Sequence, residues 1–494
     1  MRFGWMLAFV VLVSSCSVRQ QKYNPAKKFS AEALRSDFRL FRNILEESHP
    51  SLYWYTPKDS IDYYFALAES RLTDSLTETQ FRYLLSSVVS KFRCGHTSVR
   101  PPKTAAGIEP MRSRLFPLSI KAWDDTVVVT SNINRRDSNV LRGVLLRSIN
   151  GRPVQTVLDS LFSHLSADGF NQTHKYQTLS NFSTFRNMYS AVFGMPQSVP
   201  VEYIDSAGRL HSVKLQAYNP AADTQRIRTM PRDISKRTRR KVVLQNARNL
   251  RIDTANATAV MQVNTFAKHV GLRSFFRKSF RNLKRQNIEH LVVDLRSNGG
   301  GSVTLSNLLT KYLAKQPFKI ADTLYAVSRR SSYGRYQDEY LWNRLFMFFL
   351  TRKEKDGKYH FRMYEGKYFK PKTARRYNGD VYLLTGGNTF SAAVLFSKAI
   401  RDQGNVTVVG EETGGGAYGN TAWLIPDVEL PNTKLRFRLP LFRLVIDKNE
   451  LKGRGLLPHV ESKPTVEAIR RNQDFKMDKA YELIKARRSA AAQQ

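Results

Sequence analysis

Apolar positions near the front of the chain recur at three- and four-residue steps. Leu34, Phe38, Phe41 and Leu45 make one such stripe. It predicts a helix that Ser30 can cap and that ends at His49-Pro50, where proline forbids continuation. A second helix is expected over residues 60–72. Thr77 opens a third, with Gln80 three residues on as its capping-box partner and a stripe of Phe81, Leu84, Leu85, Val88 and Phe92. From Leu115 the period shortens to two. Residues 118–122 and 127–129 read as strands about an Asp124-Asp125 turn, and residues 141–154 as a strand, an Asn150-Gly151 turn and a second extended piece. Residues 155–198 are mostly helical in pattern. A hairpin about Ser206-Ala207-Gly208 closes the region at residues 199–215.

The second half opens on a basic stretch, residues 226–241, with few apolar positions. Strands at 250–252 and 259–263 follow, then a helix with Leu272, Phe275, Phe276, Phe280 and Leu283 on one face, then an apolar strand at 291–295. Strand–helix–strand at this spacing predicts a right-handed crossover in a parallel sheet. Arg296-Ser297-Asn298-Gly299-Gly300-Gly301-Ser302 leads to a helix bearing Leu305, Leu308, Leu309 and Tyr312. Residues 323–380 are irregular, aromatic and basic, and suit a lid or the edge of a cleft. An apolar strand at 381–384 breaks at Gly386-Gly387, and a helix begins near Ser391. Residues 406–409 give another strand, running into Gly414-Gly415-Gly416. Residues 430–441 alternate, Gly453 to Pro458 is a turn, and one closing helix is expected over 466–486.

The pattern is that of an α/β protein with a mixed sheet. The expected divisions are a helical N-terminal domain (30–105), a β module with a helical insertion (106–220), a basic linker (221–245), an α/β core (246–465) and a C-terminal helix and tail (466–494).

Composition adds a compartment and a field. The formal net charge is +38, from 79 Lys and Arg against 41 Asp and Glu in 494 residues. Such a field favours polyanions, but no nucleic-acid module accompanies it, and no specific nucleic-acid partner is expected. At the N-terminus, Arg2 precedes a short apolar run at residues 6–13, then Val13-Ser14-Ser15-Cys16. The run is too short to cross a bilayer and reads as a signal segment. The cysteine resembles the acceptor of a bacterial lipobox, which makes Cys16 the expected lipidation site, residues 1–16 the signal peptide and 17–29 a tether. An exported, cell-envelope lipoprotein facing the periplasm follows as the expectation. Its membrane attachment would combine a lipid with a basic surface. Cys94 is the other cysteine, so an acylated Cys16 leaves no intramolecular disulfide.

Three features carry candidate chemistry. Ser391 stands where a strand turns into a helix, with unpaired first-turn amides beside it. It either caps a core helix or serves as a nucleophile. His96 follows Gly95 at the end of the third helix. It is either a structural histidine or a general base. Gly299 to Gly301 can cradle a phosphate, form an oxyanion hole in which Gly299 or Gly300 works with Ala392, or simply turn the chain. No lysine and hydroxyl pair of the nucleotide-binding kind follows them. The nine histidines and two cysteines show no metal-ligand spacing, so neither metal nor cofactor is expected.

Taken in order, Asp294-Leu295-Arg296-Ser297-Asn298-Gly299-Gly300-Gly301, Thr389-Phe390-Ser391-Ala392-Ala393, Val409-Gly410-Glu411, the Leu430-Pro431-Asn432 strand and Gly453-Arg454-Gly455-Leu456-Leu457-Pro458-His459 resemble the tail-specific (C-terminal-processing) and tricorn-core serine peptidase family. Ser148-Ile149-Asn150-Gly151-Arg152-Pro153-Val154 is similar to a stretch of PDZ modules. The resemblance implies a tricorn-like peptidase core, a PDZ-like module and a helical cap, acting on peptides or unfolded proteins. It makes Ser391 the nucleophile, with Gly299 or Gly300 and Ala392 as oxyanion donors. The processing branch takes its base lysine from the loop after Gly410-Glu411, and residues 413–418 hold no lysine. The tricorn-like branch uses an earlier histidine, which His96 fits, and a late glutamate, for which Glu450 is the first choice and Glu411 the rival. The missing lysine, Gly95 before His96 and His459 at the place of an aspartate leave an alternative: an inactive, membrane-tethered binding protein on the same fold.

Overall fold

The computed structural model describes residues 23–105, 114–134, 137, 139–223 and 234–493. The expected signal segment, Cys16 and residues 224–233 of the linker lie outside them.

Three helices, Ala31–Ser48, Lys58–Ser70 and Glu78–Lys91, form the N-terminal unit. Ser30 accepts from the Ala33 N–H, and Thr77 and Gln80 make a reciprocal capping box, which satisfies end amides that water would otherwise have to serve. Their apolar stripes meet in a core holding Phe38, Phe41, Phe65, Phe81 and Phe92, all fully buried. That core is shared with the far end of the chain. The Phe437 ring packs edge-on against Phe41 at 4.9 Å, and buried Asp37 accepts from the N–H groups of Asn432 and Thr433. The strand Val99–Arg100, just past His96, pairs antiparallel with Arg436–Arg438.

The PDZ-like module is a sheet ordered Leu118–Trp123, Thr126–Asn132, Leu145–Ile149, Ser198–Ile204, Leu210–Gln216, with Arg152–Pro153 paired to its third strand. Helices Val154–Phe162, Gln172–Ser180 and Thr184–Phe193 fill the insertion and bury Leu158, Leu179 and Phe185 in the module's own core.

The peptidase-like core is a six-stranded sheet: Arg248–Asp253, Thr258–Val263, His290–Asp294, Asp380–Thr385, Val406–Gly410, Val460–Glu461. Only the first pair is antiparallel. Helices Leu272–Arg285, Val303–Leu313 and Ala392–Arg401 cover one face. Met477, Ala480 and Ile484 of the helix Phe475–Ala492 cover the other, as a parallel sheet requires. A second, antiparallel sheet runs Arg352–Lys353, Tyr359–His360, Thr323–Ala326, Phe442–Val445, Gly419–Ala422.

Two expectations about local structure change. Part of the basic linker, Lys236–Ala247, is a helix. Ser235 caps it, and Leu244 packs on the core. The closing helix is two, Val466–Arg470 and Phe475–Ala492. Asn472 takes a left-handed φ of +55° between them, and Asp474 caps the second by accepting from Met477.

Candidate active site

In the central sheet Asp294 lies opposite Leu384 on parallel neighbours. The two strands therefore end side by side, and the turns that follow them meet. Their contacts are specific. The Thr389 hydroxyl accepts from the Gly386 N–H and donates to the Leu295 carbonyl at 2.9 Å. The Phe390 N–H donates to the Asn298 carbonyl, and the Gly415 N–H to the Thr389 carbonyl. Asn298 itself is tied to the Val263 carbonyl. Braced this way, the chain enters the helix Ala392–Arg401 through Ser391 at φ +52°, ψ −122°. A non-glycine residue there stores strain of order 1–3 kcal/mol. The Ser391 hydroxyl makes no helix-capping bond. The residue stands half-buried at a cavity, with the sharp strand-to-helix turn that aims a serine nucleophile outward.

The glycines form the opposite wall. A Cβ on Gly300 would fall 2.7 Å from the Ser391 Cβ and 3.1 Å from the Ala392 nitrogen. Its φ of +98° also demands glycine. The structure revises its expected role. The Gly300 N–H already donates to Asn298 Oδ1 at 2.8 Å, so Gly300 gives close approach rather than an oxyanion bond. The Ala392 N–H begins the helix and has no partner among the described residues. It is a free donor beside Ser391, of the kind that can stabilise charge on a substrate carbonyl. Gly299 is exposed on the turn. Gly301 lines the Ser391 cavity.

His96 is brought to this turn from the front of the chain. It is 4% exposed, and its ring lies 4.9 Å from that of Phe390, the residue before Ser391. Neither ring nitrogen has a hydrogen-bond partner, so the imidazole does not touch the Ser391 hydroxyl in this state. Its nearest carboxylate is Asp168, with Oδ1 4.0 Å from Nδ1. Asp168 comes from the insertion of the PDZ-like module. It accepts from the Gly95 N–H at 2.8 Å and the Gly416 N–H at 3.1 Å. Gly95 therefore orients the histidine's surroundings through its amide. A Cβ there would fall 2.5 Å from Phe390 and 3.2 Å from Asp168. Burial pushes His96 down to about 3, with Arg438 and His174 adding to it. Burial pushes Asp168 up to about 6 against the pull of its two amide donors.

A second imidazole, His174, packs against Phe390 in a tilted contact at 4.8 Å and bonds the Gly387 carbonyl through Nδ1. Neither Asp168 nor His174 was singled out by sequence. Asp168 sits where the helical pattern of the insertion is interrupted by Asp168-Gly169-Phe170-Asn171. His174 lies in the first turn of the next helix, which Asn171 caps by accepting from the His174 N–H.

The expected acid is elsewhere. Glu450 pairs with Lys398 and Arg401, each at 3.2 Å, toward the C-terminal end of the helix that Ser391 begins. Seven residues at 1.5 Å each put Lys398 about 10 Å along that helix, and the two cations hold the glutamate there. Glu411 is also engaged. It forms a buried ion pair with Lys476 beneath Gly386. Burial raises its pKa, but Lys476 and Lys121 outweigh this and lower it overall.

Residues 257–462 match the model of peptidase family S41. Among solved structures, mature CPAF complexed with lactacystin is similar at TM-score 0.62 and 14% identity, over 92% of this chain and 98% of that one. A mutant CPAF aligns at TM-score 0.65 and 13% identity, over 92% and 97%. The photosystem II D1 C-terminal processing protease aligns at TM-score 0.40 and 13% identity, over 89% and 96%. The matched family segment holds both glycine turns and Ser391. Residues 257–462 thus form a peptidase family S41 domain, which supports a serine-type peptidase.

Proposed function

We propose that this chain cleaves peptide bonds through an acyl-enzyme on Ser391. His96 takes the serine proton as general base and returns it to the leaving amine. Asp168 holds the imidazole's orientation. The Ala392 N–H stabilises the oxyanion, and water then releases the acyl group. The observation that carries this is the strained Ser391 at an open helix start, one residue from a ring packed against an unpartnered buried imidazole. The imidazole would have to approach Ser391 for a working pair to form, and catalytic hydrogen bonds are commonly loose before substrate binds. The substrates are peptides or unfolded, exported proteins. Acylation of Cys16, with the basic character of the chain, whose formal net charge is +38, attaches the enzyme to the cell-envelope membrane.

A fluorophosphonate probe followed by peptide mapping tests the reading. Ser391 should carry the label, and Ser391→Ala should lower casein cleavage by about a million-fold with the fold intact. The rival is an inactive binding protein on this fold, favoured by the missing contact between His96 and Ser391. A folded protein whose Ser391 stays unlabelled would select that rival.

A further inference from the structure

A cavity of about 470 Å³ opens beside Ser391. Phe361, Tyr364, Trp423 and Leu444 line it, so its walls are mainly apolar and aromatic. Lys268, Ser302 and Thr304 also stand at its rim, and one polar side chain, Asn420, is both buried and unpaired. Asn420 belongs to the edge strand Gly419–Ala422 of the antiparallel sheet and lies opposite Leu444. Strand alternation sends Asn420 and Ala422 toward the cavity, which both line, and Thr421 to the other side, against Cys94. Asn420 is 2% exposed, and neither its Oδ1 nor its Nδ2 has a hydrogen-bond partner.

A buried carboxamide with both ends unpaired is costly, and native structures rarely keep one without a use. Its two ends match a peptide unit: Oδ1 can accept from a main-chain N–H while Nδ2 donates to a main-chain carbonyl. Apart from Lys268, the surrounding walls are mainly apolar and offer a large contact area to a ring or branched chain.

We infer that Asn420 is a substrate-binding residue: it pairs with the main chain of a peptide whose large apolar side chain, next to the scissile bond, fills the cavity beside Ser391. The inference rests on Ser391 being the reactive serine of a peptidase, and it supplies what that reading lacks, a side-chain preference. Asn420 and Leu444 are cross-strand neighbours, so the polar clamp and the apolar wall come from one piece of sheet.

The test uses binding, so that it does not depend on turnover. A fluorescein-labelled peptide with a central Phe is titrated into the Ser391→Ala protein and into Ser391→Ala/Asn420→Leu, with anisotropy as the readout. Loss of two hydrogen bonds should weaken binding about tenfold. Leucine is close in size and removes an unsatisfied amide, so the melting temperature of the double variant should equal or exceed that of its parent. A merely structural asparagine would show the opposite pair of results. Replacing the central Phe by Asp should weaken binding to the parent by tenfold or more. Equal affinity of the two proteins for the Phe peptide overturns the role of Asn420, and equal affinity for Phe and Asp peptides overturns the apolar preference. Should the leucine variant fail to fold, Asn420→Asp keeps the acceptor, loses the donor and should still weaken binding severalfold. Labelling of wild-type Ser391 by the fluorophosphonate reports separately on the nucleophile, so the two readings fail by different measurements.

Discussion

The nucleophile turn and the histidine joint meet at the ring of Phe390, and they are held in different ways. On the serine side, Thr389, Phe390 and Asn298 tie two adjacent strand ends together through bonds of 2.9 to 3.0 Å. Ser391 keeps a strained conformation because everything around it is fixed. On the histidine side no bond reaches the imidazole. The Asp168 carboxylate stands at 4.0 Å, and the tilted Phe390 ring lies 4.9 Å away. The serine is placed by one sheet and its register. His96 is placed by three segments distant in sequence: the end of the helix Glu78–Lys91, the Asp168 bend and the Gly416 loop. The first arrangement is held by hydrogen bonds, and in the second the imidazole itself is held by packing alone.

That contrast is sharpened most by removing the base. His96→Ala should lower kcat/KM by about a hundred- to ten-thousand-fold, measured on a quenched fluorescent peptide. A loss of only a few-fold would break the comparison and move the base to His174, the other ring on Phe390. The pH profile separates the groups further. Burial depresses His96 to about 3, so the folded imidazole stays neutral and able to accept a proton well below pH 6.5. Asp168 is raised to about 6 and loses its charge first as the pH falls. The acid limb of kcat/KM should therefore lie near pH 6 and belong to the carboxyl. The two groups act oppositely on stability. The contribution of His96 is present above the unfolded histidine range and lost as pH falls toward 3. That of Asp168 is present below the ordinary carboxyl range and lost as pH rises through about 6.

A smaller effect comes from the platform under the histidine. Gly95→Ala puts a Cβ 2.5 Å from the Phe390 ring and 3.2 Å from Asp168. It should cost about 1–3 kcal/mol in urea unfolding and about a hundredfold in kcat/KM, because the ring, the carboxylate or both must shift. Gly299→Ala is the control on the serine side. Its Cβ would meet nothing within 4 Å, and it should change either quantity by little. Equal losses in the two variants would mean that the histidine joint is no more sensitive to crowding than the glycine turn.

How much of this could be read from the chain follows from the same contrast. The serine turn was legible because strand, glycine break and helix lie in one continuous stretch, and the neighbouring glycine turn announces itself likewise. His96 stood out as a joint at the end of a well-patterned helix. Asp168 did not, because its bend is an interruption in an insertion, and what makes it matter is two amides, Gly95 and Gly416, from either end of the chain. The same limit hid the state of Gly300. A sequence shows that three glycines can free their amides, but not that Asn298 has claimed one of them. The pairing of Val99–Arg100 with Arg436–Arg438, which carries the histidine segment to the core, is a contact across more than three hundred residues and leaves no local pattern.

Glu450 shows how a family's order of residues can mislead where charge decides position. Its place after the serine matched a catalytic acid, yet the Ala392–Arg401 helix carries Lys398 and Arg401 near its C-terminal end, and both hold the Glu450 carboxylate at 3.2 Å. Cations at a helix C-terminus are favourable to begin with, and Asp447 and Asp402 complete the cluster around Lys398. Glu450→Gln should therefore be the mildest of these changes. We expect kcat/KM within about twofold of wild type and a stability loss below about 1 kcal/mol, as for a partly exposed ion pair in a network that retains other partners. A hundredfold fall in kcat/KM with unchanged urea unfolding would place Glu450 back beside His96, and would mean that the glutamate leaves Lys398 and Arg401 when the substrate arrives.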